Sequence, residues 1–216
     1  MGNQNIAMDN APEPLDDVLV VKAGGSLTDE IPALYALLAA SGRNLLIVPG
    51  GGRFADAVRE SGAGGSPAHW MACCAMEETA WLWVACGATP VESLHAPIAG
   101  VSVLLPYRVM RDADPLPHSW DVTSDTIAAW VASVKGASLL LLKSVDGIFS
   151  EGVVCAEMPG DAEGEFVETD VVDPAFLPFV RASGISWAII NARRPERIRS
   201  FLAGERPLGT YSNPHL

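Results

Sequence analysis

Val18-Leu19-Val20-Val21-Lys22-Ala23-Gly24-Gly25-Ser26 is an unbroken apolar run that ends in one cation and a pair of glycines. A short apolar run bounded by turn residues reads as a strand buried on both faces, and the pattern from Glu30 to Ser41, stopped by Gly42, reads as a helix. The unit repeats: Leu45 to Pro49 is a second strand, Gly50-Gly51-Gly52 its turn, and Arg53 to Glu60 a second helix. Buried strands joined by helices predict a parallel sheet covered on both faces. The expected fold is therefore α/β, a three-layer αβα sandwich with a central, mainly parallel sheet.

Further along, Ser66 to Cys86 reads as a helix with Trp70, Cys74, Glu77, Trp81 and Val84 on one stripe and Cys73, Met76, Ala80 and Trp83 beside it. A helix this apolar around its girth is expected to be buried on two sides, and so to form part of a homodimer or higher homo-oligomer interface. Val101 to Leu105 reads as a strand and Arg111 to Pro117 as a polar loop. Val122 to Val134 is a predicted helix whose inner face carries Ile127, Val131 and Val134. Ser138 to Lys143 is a buried strand with Ser144-Val145-Asp146-Gly147 as its turn. Glu157 to Asp170, with six acidic residues, reads as a solvated loop rather than a site. A helix from Pro174 to Ser183, a strand from Ser186 to Ile190, a helix from Pro195 to Ala203 and a short strand from Leu208 to Ser212 complete the pattern.

With 216 residues, 49% of them apolar, the chain can bury one sizeable core, so a single domain over 18–216 is expected. Residues 1–17 lack the basic and apolar regions of a secretory signal and read as a mobile tail. Lys and Arg total 14 against 26 acidic residues, and a net charge of −12 argues against a nucleic-acid or anionic-membrane surface. The partner expected is a small anion held by a few placed donors. No stretch is long and apolar enough to predict a bilayer-spanning helix. Cys73, Cys74, Cys86 and Cys155 show no paired spacing and read as reduced thiols, which points to the cytoplasm. The histidines and cysteines have no metal-ligand spacing, and no protein ligand for a metal is assigned.

A strand that ends in glycines and opens into a helix leaves N–H groups unpaired at the positive end of the helix dipole, where an anion is cradled. Neighbouring strands of a parallel sheet end on the same edge, so Gly24-Gly25-Ser26 and Gly50-Gly51-Gly52 should face one crevice and bring two anions together. Lys22 stands at the mouth of the first turn, where it can offset charge on a transferring phosphoryl group. The bland alternative is that each glycine cluster makes only a tight connection. Neither turn is a Walker A loop or a dinucleotide fingerprint.

Lys22 to Ser26, Gly50 to Gly52, Asp121 to Ala128 and Val145-Asp146-Gly147-Ile148-Phe149 occur in the order and spacing of the amino-acid-kinase superfamily, which the chain resembles over about residues 18 to 212. Within that family, the segments Ala68 to Ala72, Asp114 to Asp125 and Ile190 to Ile198, with Gly209-Thr210, resemble the branch that makes aminomethylfuran diphosphate from the monophosphate in methanofuran-type cofactor synthesis. The resemblance implies an ATP- and Mg²⁺-dependent kinase with the carbamate-kinase-like fold.

By position, it implies that Lys22 stabilises the phosphates in flight, that Gly24, Gly25 and Ser26 meet the nucleotide phosphates, and that Lys143, Asp146 and Gly147 lie on the nucleotide side. Gly50, Gly51 and Gly52 would cradle the acceptor's anionic group. Asp125 resembles the buried aspartate that orients the catalytic lysines. The chain departs from several relatives in lacking a Gly-Gly-Met segment with a second catalytic lysine; Lys143, or Arg193 and Arg194, is left to replace it.

An ionised phosphate or carboxylate oxygen attacks without losing a proton, so no general base is needed. Alignment and charge neutralisation then carry the catalysis. His118 is implied as a contact of the transferring phosphate, against the reading of a structural hydrogen-bonder. Asp121 is implied near the substrate or its metal, and Arg53 near the acceptor phosphate. His69 and Trp70 either line the acceptor pocket or simply begin a buried helix, while Arg59 reads as solvated. Two other readings stay open: a kinase for a different phosphate or carboxylate acceptor, and a non-catalytic nucleotide or oxyanion binder.

Overall fold

The first strand, β1 (Leu19–Ala23), is buried throughout, as an apolar run covered on two faces must be. It enters a 3₁₀ turn, Gly25–Glu30, before α1 (Ile31–Ala39). Then come β2 (Leu45–Pro49), α2 (Gly52–Glu60), α3 (Gly65–Cys86), β3 (Thr89–Val91), β4 (Val101–Leu104), α4 (Pro106–Ala113) and α5 (Ser124–Lys135). The chain continues with β5 (Leu139–Lys143), the small hairpin β6 (Phe149–Ser150) and β7 (Val153–Val154), α6 (Phe176–Ser183), β8 (Trp187–Asn191), α7 (Pro195–Leu202) and β9 (Gly209–Tyr211). This is a computed structural model, and it describes residues 18–158 and 170–212. The tail predicted for 1–17 and residues 159–169 of the acidic loop lie outside the described residues.

Seven strands form one sheet in the order β3-β4-β2-β1-β5-β8-β9, parallel except for β9, which runs against β8. The chain fills one half of the sheet through β2, β4 and β3 and then returns beside β1 with β5. The order therefore reverses between β1 and β5, and ligands of open α/β sheets bind outside the carboxyl ends of the strands at such a point.

Alternation along the strands sorts the core into two layers. Leu19, Val21, Leu45, Ile47, Leu140 and Leu142 face α1 and α7, packing on Leu34, Leu38, Ile198 and Phe201. Val20, Leu46, Leu139 and Leu141 face α5 and α6, packing on Ile127, Val131, Phe176 and Val180. The same alternation sends Lys22 and Lys143, at the carboxyl ends of β1 and β5, to the α5 side. Register pairs Lys22 with Leu141, two residues before Lys143 at the end of β5.

Two expectations are corrected. Arg111 to Ala113 belong to α4, an amphipathic helix started by Pro106 that buries Val109 and Met110, so the predicted loop is shorter. Val134 is 49% exposed, because it stands on the last turn of α5, past the core that holds Ile127 and Val131. Within the single chain, helix α3 turns Cys73, Met76, Ala80 and Trp83 to the core and leaves Met71, Cys74 and Trp81 exposed. No helix among the described residues is long and apolar enough to cross a membrane.

Candidate active site

The two glycine turns touch. A β-carbon placed on Gly25 would sit 2.4 Å from the Gly52 nitrogen, and one on Gly50 would sit 2.4 Å from the Gly25 nitrogen. Backbone this close leaves no room for any side chain, and Gly52 in addition has φ of 51°, a conformation that glycine adopts without strain. The donors are shared out unevenly. Gly24 and Gly50 give their N–H groups to Leu142 and Ala23 and so extend the sheet. Gly25, Ser26, Gly51 and Gly52 find no backbone acceptor among the described residues. These stand at the start of the 3₁₀ turn and of α2, where first-turn N–H groups lack intrahelical partners. The cradle is thus built from the second and third positions of each turn rather than the first.

Beneath it, Asp125 on the first turn of α5 meets both lysines. Lys22 Nζ is 2.8 Å from Oδ1 and Lys143 Nζ 2.7 Å from Oδ2, with side chains only 5%, 5% and 13% exposed for Lys22, Asp125 and Lys143. Burial alone would raise the Asp125 carboxyl; the charge of Lys22, and then of Lys143, outweighs it and holds the group below the ordinary carboxylate range. Burial and the neighbouring Lys22 charge bring Lys143 down to about 8, despite Asp125. Lys143, which the resemblance placed on the nucleotide side, is therefore the second cation on the aspartate. Arg193 instead pairs with Glu30 at 3.2 Å, 58% exposed.

A cavity of about 330 Å³ opens from the glycine turns along α2, α3 and the loop before α5. Gly25, Ser26, Gly50, Gly51, Gly52 and Arg53 form its polar end, and Met76, Val122 and Ile127 its apolar wall. His69 lines it from a buried position, where burial and then the adjacent His118 ring keep its imidazole below the ordinary range. Sequence reading missed two further residues of the lining. Arg59 is not merely solvated: it reaches the cavity and stacks its guanidinium 4.5 Å from the Trp120 ring centroid, which lines the cavity too. The Arg53, Asp56, Arg59 spacing on one face of α2 was the available signal.

Other predicted residues are placed differently. His118 does not line the cavity. Its Nδ1 lies 2.7 Å from Ser66 Oγ and its Nε2 2.8 Å from Asp114 Oδ1, and its ring stacks on His69 at 4.2 Å, so both nitrogens are engaged by the protein. Asp121 accepts from the Ser119 hydroxyl at 3.3 Å and, through its carbonyl, from the Ala175 N–H. Asp146 accepts from Asn191 Nδ2 at 2.6 Å and Arg197 at 2.7 Å, and these bonds, that from Asn191 foremost, lower its carboxyl. Gly147 passes so close to Thr210 that a β-carbon would lie 2.5 Å from its hydroxyl oxygen. Asp146 and Gly147 thus clamp the turn after β5 to β8 and β9.

The unpaired N–H groups and buried cations fit the phosphates of ATP. The described carboxylates nearest the cluster are already paired, so an accompanying Mg²⁺ would be held mainly by the nucleotide's own phosphates.

Fold and site together define the class: the chain is a kinase with the amino-acid-kinase fold. No protein-family profile matches it. It is 25% identical, over 212 residues covering 88% of this chain and 95% of the relative, to a protein of Methanocaldococcus jannaschii named [5-(aminomethyl)furan-3-yl]methyl phosphate kinase. Among solved structures it is similar to uridylate kinase from Archaeoglobus fulgidus, with a TM-score of 0.67, 19% identity, and 90% of this chain and 99% of that one covered. The UMP kinase of Ureaplasma parvum gives a TM-score of 0.67 at 16% identity, covering 90% and 97%.

Proposed function

We propose that this kinase transfers the γ-phosphoryl group of ATP to a phosphate oxygen of a small phosphorylated amine, with aminomethylfuran phosphate as the acceptor, giving the diphosphate and ADP. The acceptor oxygen forms the new bond to phosphorus as the bond to the ADP oxygen breaks. No proton has to be removed, because the acceptor oxygen is already ionised. Gly25 and Ser26 hold the nucleotide phosphates, Gly51, Gly52 and Arg53 hold the acceptor phosphate, and Lys22 and Lys143 offset the charge that spreads over the transferring group. Mg²⁺ supplies further neutralisation when bound with the nucleotide. His118 and Asp121 shape the loop that carries Trp120 over the acceptor.

The observation that carries this reading is the direct contact of the two glycine turns above the Lys22–Asp125–Lys143 cluster. The acceptor's identity draws on the 25% identical relative and on a cavity with two arginines at its rim and an aromatic and apolar wall. Purified protein should form ADP with aminomethylfuran phosphate and not with UMP; turnover of UMP alone would reassign the acceptor while keeping the kinase.

The exposed stripe of Met71, Cys74 and Trp81 on α3 supports a homodimer through that face, in a cytoplasm that keeps its thiols reduced. Trp81→Glu should convert a dimer to a monomer in sedimentation, and a monomeric wild-type protein at micromolar concentration would end that part of the proposal.

A further inference from the structure

Asp173 stands far from Asp125 in sequence and beside it in the fold. It is buried, and its Oδ2 accepts from the Thr123 N–H at 2.9 Å, the Thr123 hydroxyl at 2.9 Å and the Thr126 N–H at 3.0 Å, while Oδ1 accepts from the Thr126 hydroxyl. These are donors of the first turn of α5. The helix has no local cap: Thr123 occupies the capping position, yet it makes no side-chain cap bond of its own and its hydroxyl donates to Asp173. A carboxylate brought in from another segment satisfies the orphan N–H groups and complements the helix dipole.

The backbone of the same residue reaches the catalytic cluster. The Asp173 N–H donates to Asp125 Oδ2 at 3.2 Å, the oxygen that also holds Lys143 at 2.7 Å. Oδ1 of Asp125 faces Lys22 at 2.8 Å and has no hydrogen-bond partner of good geometry among the described residues. One oxygen is therefore filled and the other meets a single ammonium.

We propose that Asp173 is a positioning residue for phosphoryl transfer: it fixes the first turn of α5 so that Asp125 keeps Lys143 on its saturated oxygen and leaves Lys22 as the cation free to follow the phosphates. The inference rests on the kinase reading for its catalytic meaning, but not for its geometry. An ordinary helix cap would stabilise α5 without setting how Asp125 divides its oxygens. Here the backbone of the capping residue is itself a ligand of the catalytic carboxylate, so loosening the cap moves both.

The test compares the full chain with Asp173→Asn, which keeps the shape but presents an amide donor toward donors. The Lys143 ammonium is titrated by NMR of lysine side-chain nitrogens, with Lys143→Arg to assign the signal. Lys143 should lose its hold on Asp125 and titrate about one pH unit or more below its wild-type midpoint, because an opposite charge nearby favours the ammonium. With ATP and the acceptor, kcat should fall about 100-fold, with KM within about threefold, as displaced catalytic groups behave. Thr126→Val should move both readouts in the same direction and serves as the variant should Asp173→Asn not fold. An unmoved or raised Lys143 midpoint in a folded variant overturns the proposal, whatever its activity. A lowered Lys143 midpoint in the variant, with a wild-type protein that never forms ADP, upholds the positioning and removes the kinase reading instead.

Discussion

Two ammonium groups share one carboxylate at the floor of the site, almost out of water. Such a cluster is a poor source of stability, since desolvation offsets most of the attraction, but breaking it leaves uncompensated charge. Asp125→Asn should therefore destabilise the protein by roughly 3–5 kcal/mol in urea unfolding, and a change under about 1 kcal/mol would deny the ion cluster. Lys22→Ala should lower kcat about 100- to 1,000-fold with a modest change in KM, as loss of a group that meets transition-state charge does; a pure binder would only bind less tightly. Lys143 carries its proton below about 8 and loses it above, so kcat should fall as pH rises through that value. The sign for stability is opposite. With its value depressed from 10.5, the folded state binds fewer protons than the unfolded one between about 8 and 10.5, so the cost of the buried ammonium is full below about 8 and lifts as pH rises. Lys143→Arg, always charged, should abolish the alkaline loss of rate; persistence of that limb would assign it elsewhere. Lys22 was legible in the sequence from position and type, and Asp125 through the family resemblance. Asp173 was not, because an aspartate before a proline reads as a turn and its partners lie 47 and 50 residues away.

The turns and helices that carry these groups depend on backbone contact. Gly25→Ala or Gly50→Ala would drive a β-carbon into the neighbouring turn, where no flexible side chain can yield. Overpacking of this kind costs about 1–3 kcal/mol, and it should separate the two turns. Either variant should lose at least about tenfold in kcat/KM and unfold at a lower temperature; unaltered kcat/KM would show that the contact is only structural. The glycine turns were readable because close backbone approach demands a residue without a side chain. Helix α4 was not, since eight residues with Val109 and Met110 as their inward pair offer too short a period to outweigh the charged residues around them. Strand β3, three residues containing Pro90, hid for the related reason that an edge strand tolerates proline. Val134 misled because the apolar period of α5 continues one turn past the point where the core ends.

Across the molecule, the parallel sheet is what turns two local sequence patterns into one site. Strands β1 and β2 are neighbours in register, so their glycines end on one edge, and the reversal of strand order beside β1 brings β5 and Lys143 to the same place. The shared edge of β1 and β2 followed from counting strands and turns; the place of β5 beside β1 did not. The division of the aspartate's oxygens and the stacking of Arg59 on Trp120 depend on tertiary packing that no local pattern encodes. On a chain of net charge −12, the few buried and rim cations and the N–H groups of the glycine turns draw in the two anions. The direct test is a crystal structure with a non-hydrolysable ATP analogue and a phosphate-bearing acceptor bound together. The γ-phosphate and the acceptor phosphate should face each other across the Gly25–Gly52 contact with Lys22 Nζ between them. Nucleotide phosphates bound away from both glycine turns would contradict the account.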